Sequence, residues 1–194
     1  MIKRCVADIE TDGLLDELAV LYCASVRDYE TNENKRFRSV KALVKYLSTF
    51  DEVWFHNGIS FDYPALVKLC PETTDLLPMS KIRDTLVLSR LAFPTLAKID
   101  ATKFRKYGKS YALPPKMTGS HGLSAWGYRL GDYKGDFNPT NYTNPVTGEP
   151  HTWNTVGYSE DMVRATSSYM VRHAGNLATL KYGFKLDNGL GEME

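Results

Sequence analysis

The sequence predicts an α/β domain with a mixed β-sheet flanked by helices. Strand-like stretches come in succession near the N-terminus, and further strand-like stretches then alternate with amphipathic ones. Strands that first form a meander and later alternate with helices are typical of α/β folds. The chain has 194 residues, of which 43% are hydrophobic, and this is enough for one domain with a buried core.

Strands are predicted from short apolar or alternating stretches at 2–9, 19–26, 35–38, 53–56 and 81–83. The first of them runs into the turn-like sequence Thr11-Asp12-Gly13. The second is apolar enough to be central in the sheet. The third alternates and is charged, which is typical of an edge strand.

Helices are predicted where apolar residues recur at helical spacing, namely at 40–47 after the cap Ser39, at 61–69, 85–91 and 123–130, and from Ser159 to about 182. The segment 97–120 is predicted to be less regular. Residues 131–157 are rich in Pro, Asn, Gly and Thr and are predicted to form an extended excursion. We therefore expect one domain at 1–186 and a flexible acidic tail at 187–194.

Composition excludes few functions. The formal net charge of +1 is neutral evidence about a nucleic-acid partner, because a local basic patch suffices for binding. The three cysteines, Cys5, Cys23 and Cys70, lack the paired spacing of a zinc site, so we expect buried, reduced thiols. No stretch resembles a signal peptide or a membrane span. These features predict a soluble intracellular protein.

Several polar residues are candidates for a functional site. Asp8 and Glu10 alternate in the first strand, so they project from the same face. Two carboxylates that close repel each other, and a divalent cation relieves the repulsion, although a solvated strand end also explains the pair. Asp62 alone could be an acid at a helix N-terminus. Tyr169 and His173 are four residues apart in a helical pattern and share one helix face.

Four blocks of sequence make the candidates more specific: DIETDGL at 8–14, HNGISFD at 56–62, DTLVLSR at 84–90 and SHGLSAWGYRLG at 120–131. With these blocks the chain resembles the 3′–5′ proofreading exonuclease domain of family A DNA polymerases, of the short-tailed-phage type, within the DnaQ-like (DEDD) exonuclease superfamily. The first two blocks match exonuclease motifs, and the other two look like phage-branch segments outside the acidic site. The resemblance covers nearly the whole chain and implies an RNase H-like fold with five strands.

The resemblance also implies a site for two divalent cations, Mg²⁺ or Mn²⁺. Such a site holds the scissile phosphate at the 3′ end of single-stranded DNA and releases nucleoside 5′-monophosphates. Asp8 would bridge both cations. Glu10 would bind the cation on the side of the attacking water, and Asp62 would bind the other.

The same resemblance implies roles for residues around the cations. Tyr169 would orient the attacking water, and Thr11 would contact the substrate. Leu14 would wedge against the terminal base, and Asn57 would contact the strand near its end. The implied location is the cytoplasm of a bacterial host, as for a phage protein.

The third motif departs from the family pattern. The family carries Tyr-x3-Asp, whereas this sequence has Tyr169-x3-His173. An alternative register puts Tyr169 at the acid position and Ala165 at the tyrosine position, and it supplies no carboxylate either. Because Mg²⁺ prefers hard oxygen ligands and imidazole suits Zn, Mn or Co better, we expect impaired hydrolysis, unless His173 itself binds a metal.

Other interpretations stay open. The segment from 97 to 120 has six Lys or Arg against the single acid Asp100, with Phe104, Tyr107 and Tyr111 among them. Basic and aromatic side chains together are typical of single-strand binding, but a solvated loop explains them equally well. The rivals to an active exonuclease are a catalytically silent DNA-binding module and an exonuclease acting on short RNA. A DNA polymerase chain or domain is an expected partner, and no membrane is.

Overall fold

The computed structural model describes residues 2–108 and 111–131. They contain a five-stranded sheet in the order β3-β2-β1-β4-β5. The strands are β1 (Arg4–Thr11), β2 (Leu21–Asp28), β3 (Asn34–Phe37), β4 (Glu52–Phe55) and β5 (Ile82–Asp84). The β1–β2 and β2–β3 pairs are antiparallel, and the β1–β4 and β4–β5 pairs are parallel. The predicted fold, a five-stranded mixed sheet with helices, is confirmed.

The described helices are α1 (Val40–Leu47), α2 (Asp62–Leu69), α3 (Thr73–Leu76), α4 (Thr85–Ala92), α5 (Leu96–Tyr107) and α6 (Leu123–Leu130), with single 3₁₀ turns at Met79–Lys81 and Pro115–Met117. The predicted cap of α1 is confirmed, because the hydroxyl of Ser39 accepts a hydrogen bond from the Ala42 amide at 3.4 Å. The short helix α3 was not foreseen from the sequence.

Alternation along β1 divides its side chains between the two faces of the sheet. Cys5, Ala7 and Ile9 belong to the main hydrophobic core, which also includes buried residues of α1 and α2. Val6 lies on the other face and packs with Trp54. The same alternation places the next polar positions of β1 away from the main core, which leaves their side chains available at the end of the strand.

The strand boundaries differ from the predicted ones by one or two residues. β1 continues to Thr11 rather than ending at Ile9, because its ladder with β2 extends through the pairs of Glu10 with Cys23 and of Thr11 with Leu21. The apolar run marks where a strand is buried, whereas pairing with the neighbouring strand decides where it ends. Thr11 is therefore a strand residue, and the turn begins after it.

The prediction that 97–120 is irregular was wrong for its first half, which forms α5. Apolar residues are sparse in this helix, so its periodicity is weak in the sequence. Its anchor is the carboxylate of Asp100, which is fully buried. Both carboxylate oxygens of Asp100 accept from the guanidinium of Arg129, at 3.0 Å and 2.8 Å. A contact between residues this far apart is invisible to any local sequence pattern.

Two more donors complete the surroundings of Asp100. The Tyr111 hydroxyl donates at 2.8 Å and the Gly119 amide at 2.8 Å. Burial opposes ionisation, but the bonds from Arg129, Gly119 and Tyr111 lower the pKa of Asp100. Burial and the bond to Asp100 raise the pKa of Tyr111 to about 12. The cluster thus joins α5, α6 and the segment between them through one ionised carboxylate.

Two predictions about composition can be compared with the described part of the chain. Cys5, Cys23 and Cys70 are free and buried, as expected. Among residues 2–108 and 111–131, no helix is long and apolar enough to cross a membrane. The excursion, the final helix and the acidic tail predicted after Gly131 lie outside the described residues.

We expect Arg129→Met to destabilise the fold strongly. The substitution leaves Asp100 ionised and buried without its cation, and breaking a buried pair in this way costs about 3–5 kcal/mol. Urea unfolding would measure the loss. Arg105→Met is the matched control, since Arg105 is exposed on α5 and its loss should change stability by less than about 0.5 kcal/mol. Equal effects of the two substitutions would show that the buried pair does not anchor α5.

Candidate active site

The candidate site lies at the carboxyl ends of the parallel strands β1, β4 and β5. These ends meet at one edge of the sheet because the three strands run in the same direction. In open α/β sheets, ligands bind in the crevice outside the carboxyl ends of the strands. Asp8 and Glu10 are on the last part of β1, Asp62 begins α2, and Asp84 ends β5.

Asp8 and Glu10 project from the same face of β1, as the sequence predicts. Their cross-strand neighbours on β2 are Ser25 and Cys23, so these four side chains share one patch of the sheet. Burial, followed by the charges of Glu10 and Asp8, raises the pKa of Cys23 to about 12. Among the described residues, the buried hydroxyl of Ser25 has no hydrogen-bond partner. The patch therefore contains two carboxylates, with the cation Arg38 also near Cys23, and it holds an unsatisfied polar atom.

Asp62 is buried, with 4% of its surface exposed. Burial raises its pKa well above the usual range, and the negative charge of Asp8 raises it further. Hydrogen bonds from backbone amides, including that of Ile9, act in the opposite direction. The structure thus brings Asp62 to the same end of β1 as Asp8, close enough for the two carboxylates to repel each other.

The donor chemistry of these residues suits a hard cation. Carboxylate oxygens are the ligands that Mg²⁺ and Mn²⁺ prefer, and a cation would relieve the repulsion between Asp8 and Asp62. Within residues 2–108 and 111–131, however, no group of three or more His, Cys, Asp or Glu side chains could hold a metal ion. Tyr169 and His173, the remaining predicted members of the site, lie outside the described residues.

The loop between β4 and α2 carries the second motif and has a constrained backbone. Asn57 has a φ of 69°, a left-handed conformation that Asn tolerates better than most residues. Gly58 has no room for a side chain, since a Cβ there would lie 2.2 Å from the Cβ of Phe55. The Asn57 carbonyl accepts from the amides of Ser60 and Phe61. The path from β4 to Asp62 therefore has little conformational freedom.

The carboxylate of Asp84 fixes this loop from the neighbouring strand. It is buried and accepts hydrogen bonds from the amides of Asn57 at 3.1 Å and Ile59 at 3.0 Å. It also caps α4 by accepting from the amides of Leu86 at 2.8 Å and Val87 at 3.3 Å. One side chain therefore joins the end of β5, the start of α4 and the loop that leads to Asp62.

This role of Asp84 was not predicted from the sequence. The block at 84–90 resembles a family segment that lies outside the acidic site. The signal that could have found the role is an acid directly before a helical pattern, which is typical of an N-cap. The two bonds to the loop could not have been found, because they join residues from different elements.

The loop after β1 presents Leu14, one of the predicted substrate contacts, with 76% of its surface exposed. Asp12 closes this loop by accepting from the amides of Ala19 at 3.0 Å and Val20 at 2.9 Å, and these bonds lower the pKa of Asp12. Lys68 of α2 donates to the carbonyl of Leu15 at 2.6 Å. These bonds hold the backbone of the loop, and Leu14 is exposed on it. Thr11, predicted beside it, donates to the Gly13 carbonyl at 2.9 Å.

Two histidines bind the same face of α4. His56 contacts the hydroxyl of Thr85 at 3.0 Å, and His121 contacts the hydroxyl of Ser89 at 2.7 Å. Burial lowers the pKa of each histidine, because it disfavours the charged imidazolium. The Ser89 hydroxyl also accepts from the Trp126 indole at 2.9 Å. These contacts give both histidines structural partners near the site.

The aromatic residues of the basic segment 97–120 are of two kinds, packed and exposed. The rings of Phe104 and Tyr111 contact each other edge to face at 4.9 Å, and Tyr111 is bonded to Asp100. These two rings therefore pack within the protein and are not free to stack on bases. Tyr107 is 43% exposed, with the ammonium of Lys106 5.0 Å from its ring centroid. Lys109 lies outside the described residues.

The fold and the acidic edge together define an RNase H-like α/β domain with its candidate site at the end of the first strand. No model of a protein family matches the chain. The DNA-directed DNA polymerase of Escherichia phage T7 is 39% identical over 141 residues, which cover 68% of this chain and 20% of the polymerase. The DNA-directed DNA polymerase of Enterobacteria phage T3 is 38% identical with the same coverage.

The matched region thus spans about a fifth of the length of these polymerases. The resemblance stated from the motifs is confirmed over these 141 residues, which are 68% of the chain. The chain is thus related to a part of these phage DNA polymerases.

We expect Asp62→Asn to raise the melting temperature of the metal-free chain at neutral pH. A carboxyl whose pKa is raised in the folded state stabilises the fold below its ordinary pKa of about 3.9. That stabilisation is lost as the pH rises through the raised value. A gain of about 1 kcal/mol corresponds to roughly 2–4 °C in a chain of this size.

Calorimetry between pH 4 and pH 8 would measure this effect, because the advantage of the variant should shrink toward pH 4. Asp75→Asn is the matched control, since Asp75 is exposed on α3. If Asp62→Asn lowered the melting temperature at neutral pH, Asp62 would not be under electrostatic strain.

Proposed function

We propose that this chain is a metal-dependent 3′–5′ exonuclease domain that holds the 3′ end of single-stranded DNA at Asp8, Glu10 and Asp62. The observation that carries the proposal is the placement of Asp8, Glu10 and the buried Asp62 at the carboxyl ends of the neighbouring parallel strands β1 and β4. Two neighbouring carboxylates in a folded protein repel each other, and a bound cation relieves this repulsion. The relationship to DNA-directed DNA polymerases supports DNA as the substrate.

Two divalent cations, Mg²⁺ or Mn²⁺, would lower the pKa of the attacking water and stabilise the departing 3′ oxygen. The contribution of the chain would be to hold the backbone of these ligands in place. Their side chains would have to close on the cations, since no three of the described acids already form a group that could hold a metal ion. Asp8 and Glu10 are on the part of β1 that is paired with β2, and Asp62 follows a loop with little conformational freedom. Ligands on rigid elements keep their geometry during the reaction, which is what precise metal sites require.

The substrate side of the proposal rests on the two loops at the same edge. Leu14 is exposed on the loop after β1, where an apolar side chain can pack on the terminal base. Asn57 is in the loop after β4 and can contact the strand near its end. The proposed product is a nucleoside 5′-monophosphate, and the proposed location is the host cytoplasm. A DNA polymerase chain or domain is the proposed partner.

His173 is the reason to propose slow hydrolysis. Four carboxylates nearly neutralise two divalent cations, whereas three leave one unit of positive charge uncompensated. A neutral imidazole also replaces a hard oxygen ligand, which Mg²⁺ prefers. Both changes weaken the stabilisation of the transition state, so they act on the rate of hydrolysis.

The second candidate function is a catalytically silent module that holds a 3′ end without cutting it. His173 at the position of the fourth acid favours this candidate, since the loops and the strand that would hold DNA do not depend on that ligand. The two candidates share the binding site and differ only in the rate of hydrolysis. One substitution can therefore separate them.

We expect Mn²⁺ to raise the melting temperature of the full chain after treatment with a chelator. A cation that binds only the folded state stabilises it by mass action, by about 2.7 kcal/mol at a hundred times its Kd. Asp8→Asn should lose most of this rise, because Asp8 is the proposed bridging ligand. Asp75→Asn is the control that should keep it. A rise of equal size in Asp8→Asn would contradict the proposed metal site.

We expect His173→Asp to hydrolyse a 3′-labelled single strand about a hundredfold or more faster than the wild-type chain in Mg²⁺, because it restores the fourth carboxylate. A gel-based time course would measure both rates. Equal rates would show that residue 173 is not the fourth ligand. Wild-type hydrolysis in Mn²⁺ alone would favour His173 as a ligand. Wild-type binding without cleavage in either metal would favour the silent module.

A further inference from the structure

The loop from Asn57 to Phe61 contains an exposed apolar side chain that the proposed site does not use. Ile59 is 44% exposed, and its backbone amide donates to the buried carboxylate of Asp84 at 3.0 Å. Single apolar residues on a protein surface are common, so the exposure alone carries nothing. The position of Ile59 and the rigidity of its backbone are what need an explanation.

Three constraints fix the backbone on both sides of Ile59. Asn57 is held in a left-handed conformation with its amide bonded to Asp84. Gly58 lies against Phe55 without space for a Cβ. The amide of Tyr63 donates to the Gly58 carbonyl at 2.9 Å. Because the loop cannot easily rearrange to bury Ile59, its side chain stays in solvent until something packs on it.

Ile59 lies at the edge of the sheet that carries the candidate site. β1 and β4 are neighbouring parallel strands, about 4.8 Å apart. Leu14 is on the loop after β1, and Ile59 is on the loop after β4, so both exposed apolar residues belong to the edge that carries Asp8. Ile59 is also three residues before Asp62 in the chain. An apolar surface beside a cluster of carboxylates suits a ligand that has an apolar face and an anionic backbone.

We propose that Ile59, held in place by Asp84, is a substrate-contacting residue that packs on a base of the single strand at the entrance to the carboxylate site. This inference rests on the proposed function, since it assumes that a nucleic-acid strand occupies that site. Every base has an apolar face, so the contact is independent of sequence. Asp84 acts through the loop and is a positioning residue.

The test is the affinity of the full chain for a short fluorescent DNA strand in Mg²⁺, measured by anisotropy, with a gel to verify that the strand stays intact. We expect Ile59→Ala to weaken binding about fivefold, because it removes part of a contact worth about 0.8 kcal/mol per buried methylene. Leu76→Ala is the matched control. Leu76 is 47% exposed on α3, which follows the far end of α2, and its loss should leave binding unchanged.

A second strand, whose 3′-terminal nucleotides lack bases, tests the nature of the contact. Ile59→Ala should bind this abasic strand as the wild-type chain does, because the base that it would touch is missing. Asp84→Ser tests the positioning role. Serine is a good N-cap and keeps α4 capped, but its side chain is too short to hold the loop. Asp84→Ser should therefore weaken binding of the ordinary strand at least as much as Ile59→Ala does.

Each outcome decides the matter. If Ile59→Ala binds the ordinary strand as tightly as the wild-type chain, the inference is wrong while the proposed function stands. If it weakens both strands equally, the contact is not with a base and the inference is also wrong. If the wild-type chain binds neither strand, the proposed function fails and the inference fails with it.

Discussion

The buried carboxylate of Asp84 is the contact on which the arrangement of the candidate site depends. Parallel strands place their carboxyl ends at one edge, but they do not determine how the following loops lie relative to one another. Asp84 does so by accepting two amides from the loop after β4 and two from the first turn of α4. Hydrogen bonds to a charged acceptor are among the strongest that side chains make. These four hydrogen bonds therefore determine where the loop that leads to Asp62 lies relative to the end of β1.

The same edge of the sheet holds two carboxylates, those of Asp8 and Asp62, that repel each other. Asp62 is buried close to Asp8, and the raised pKa that results indicates that this placement costs free energy in the absence of a cation. The surrounding structure sustains the cost because the main core packs on the opposite face of β1. By contrast, the buried carboxylate of Asp100 is matched by Arg129 and has a lowered pKa. One buried acid is paired with an arginine of the protein, and the other lies near a second carboxylate.

The difference between these acids also explains what the sequence could and could not predict. The strands, α1 and α6 have periodicities and caps that act locally, so their existence was predicted correctly. Asp8 and Glu10 were placed on one face by alternation alone. The helix α5 and the role of Asp84 were missed, because each depends on bonds between elements that are distant in the chain. Local patterns therefore predicted the acids but not the contacts that position them.

In the proposed function, holding a strand and cutting it are physically separable. Leu14, Ile59 and the four amides that donate to Asp84 all lie within the described residues. The proposed hydrolysis would depend in addition on the carboxylate charge that neutralises the cations, and His173 in place of an acid would reduce that charge. Because the transition state carries more developing charge than the bound strand does, a missing carboxylate weakens catalysis more than it weakens binding. We therefore expect His173, in place of a fourth acid, to lower the rate of hydrolysis more than it lowers the affinity for the strand.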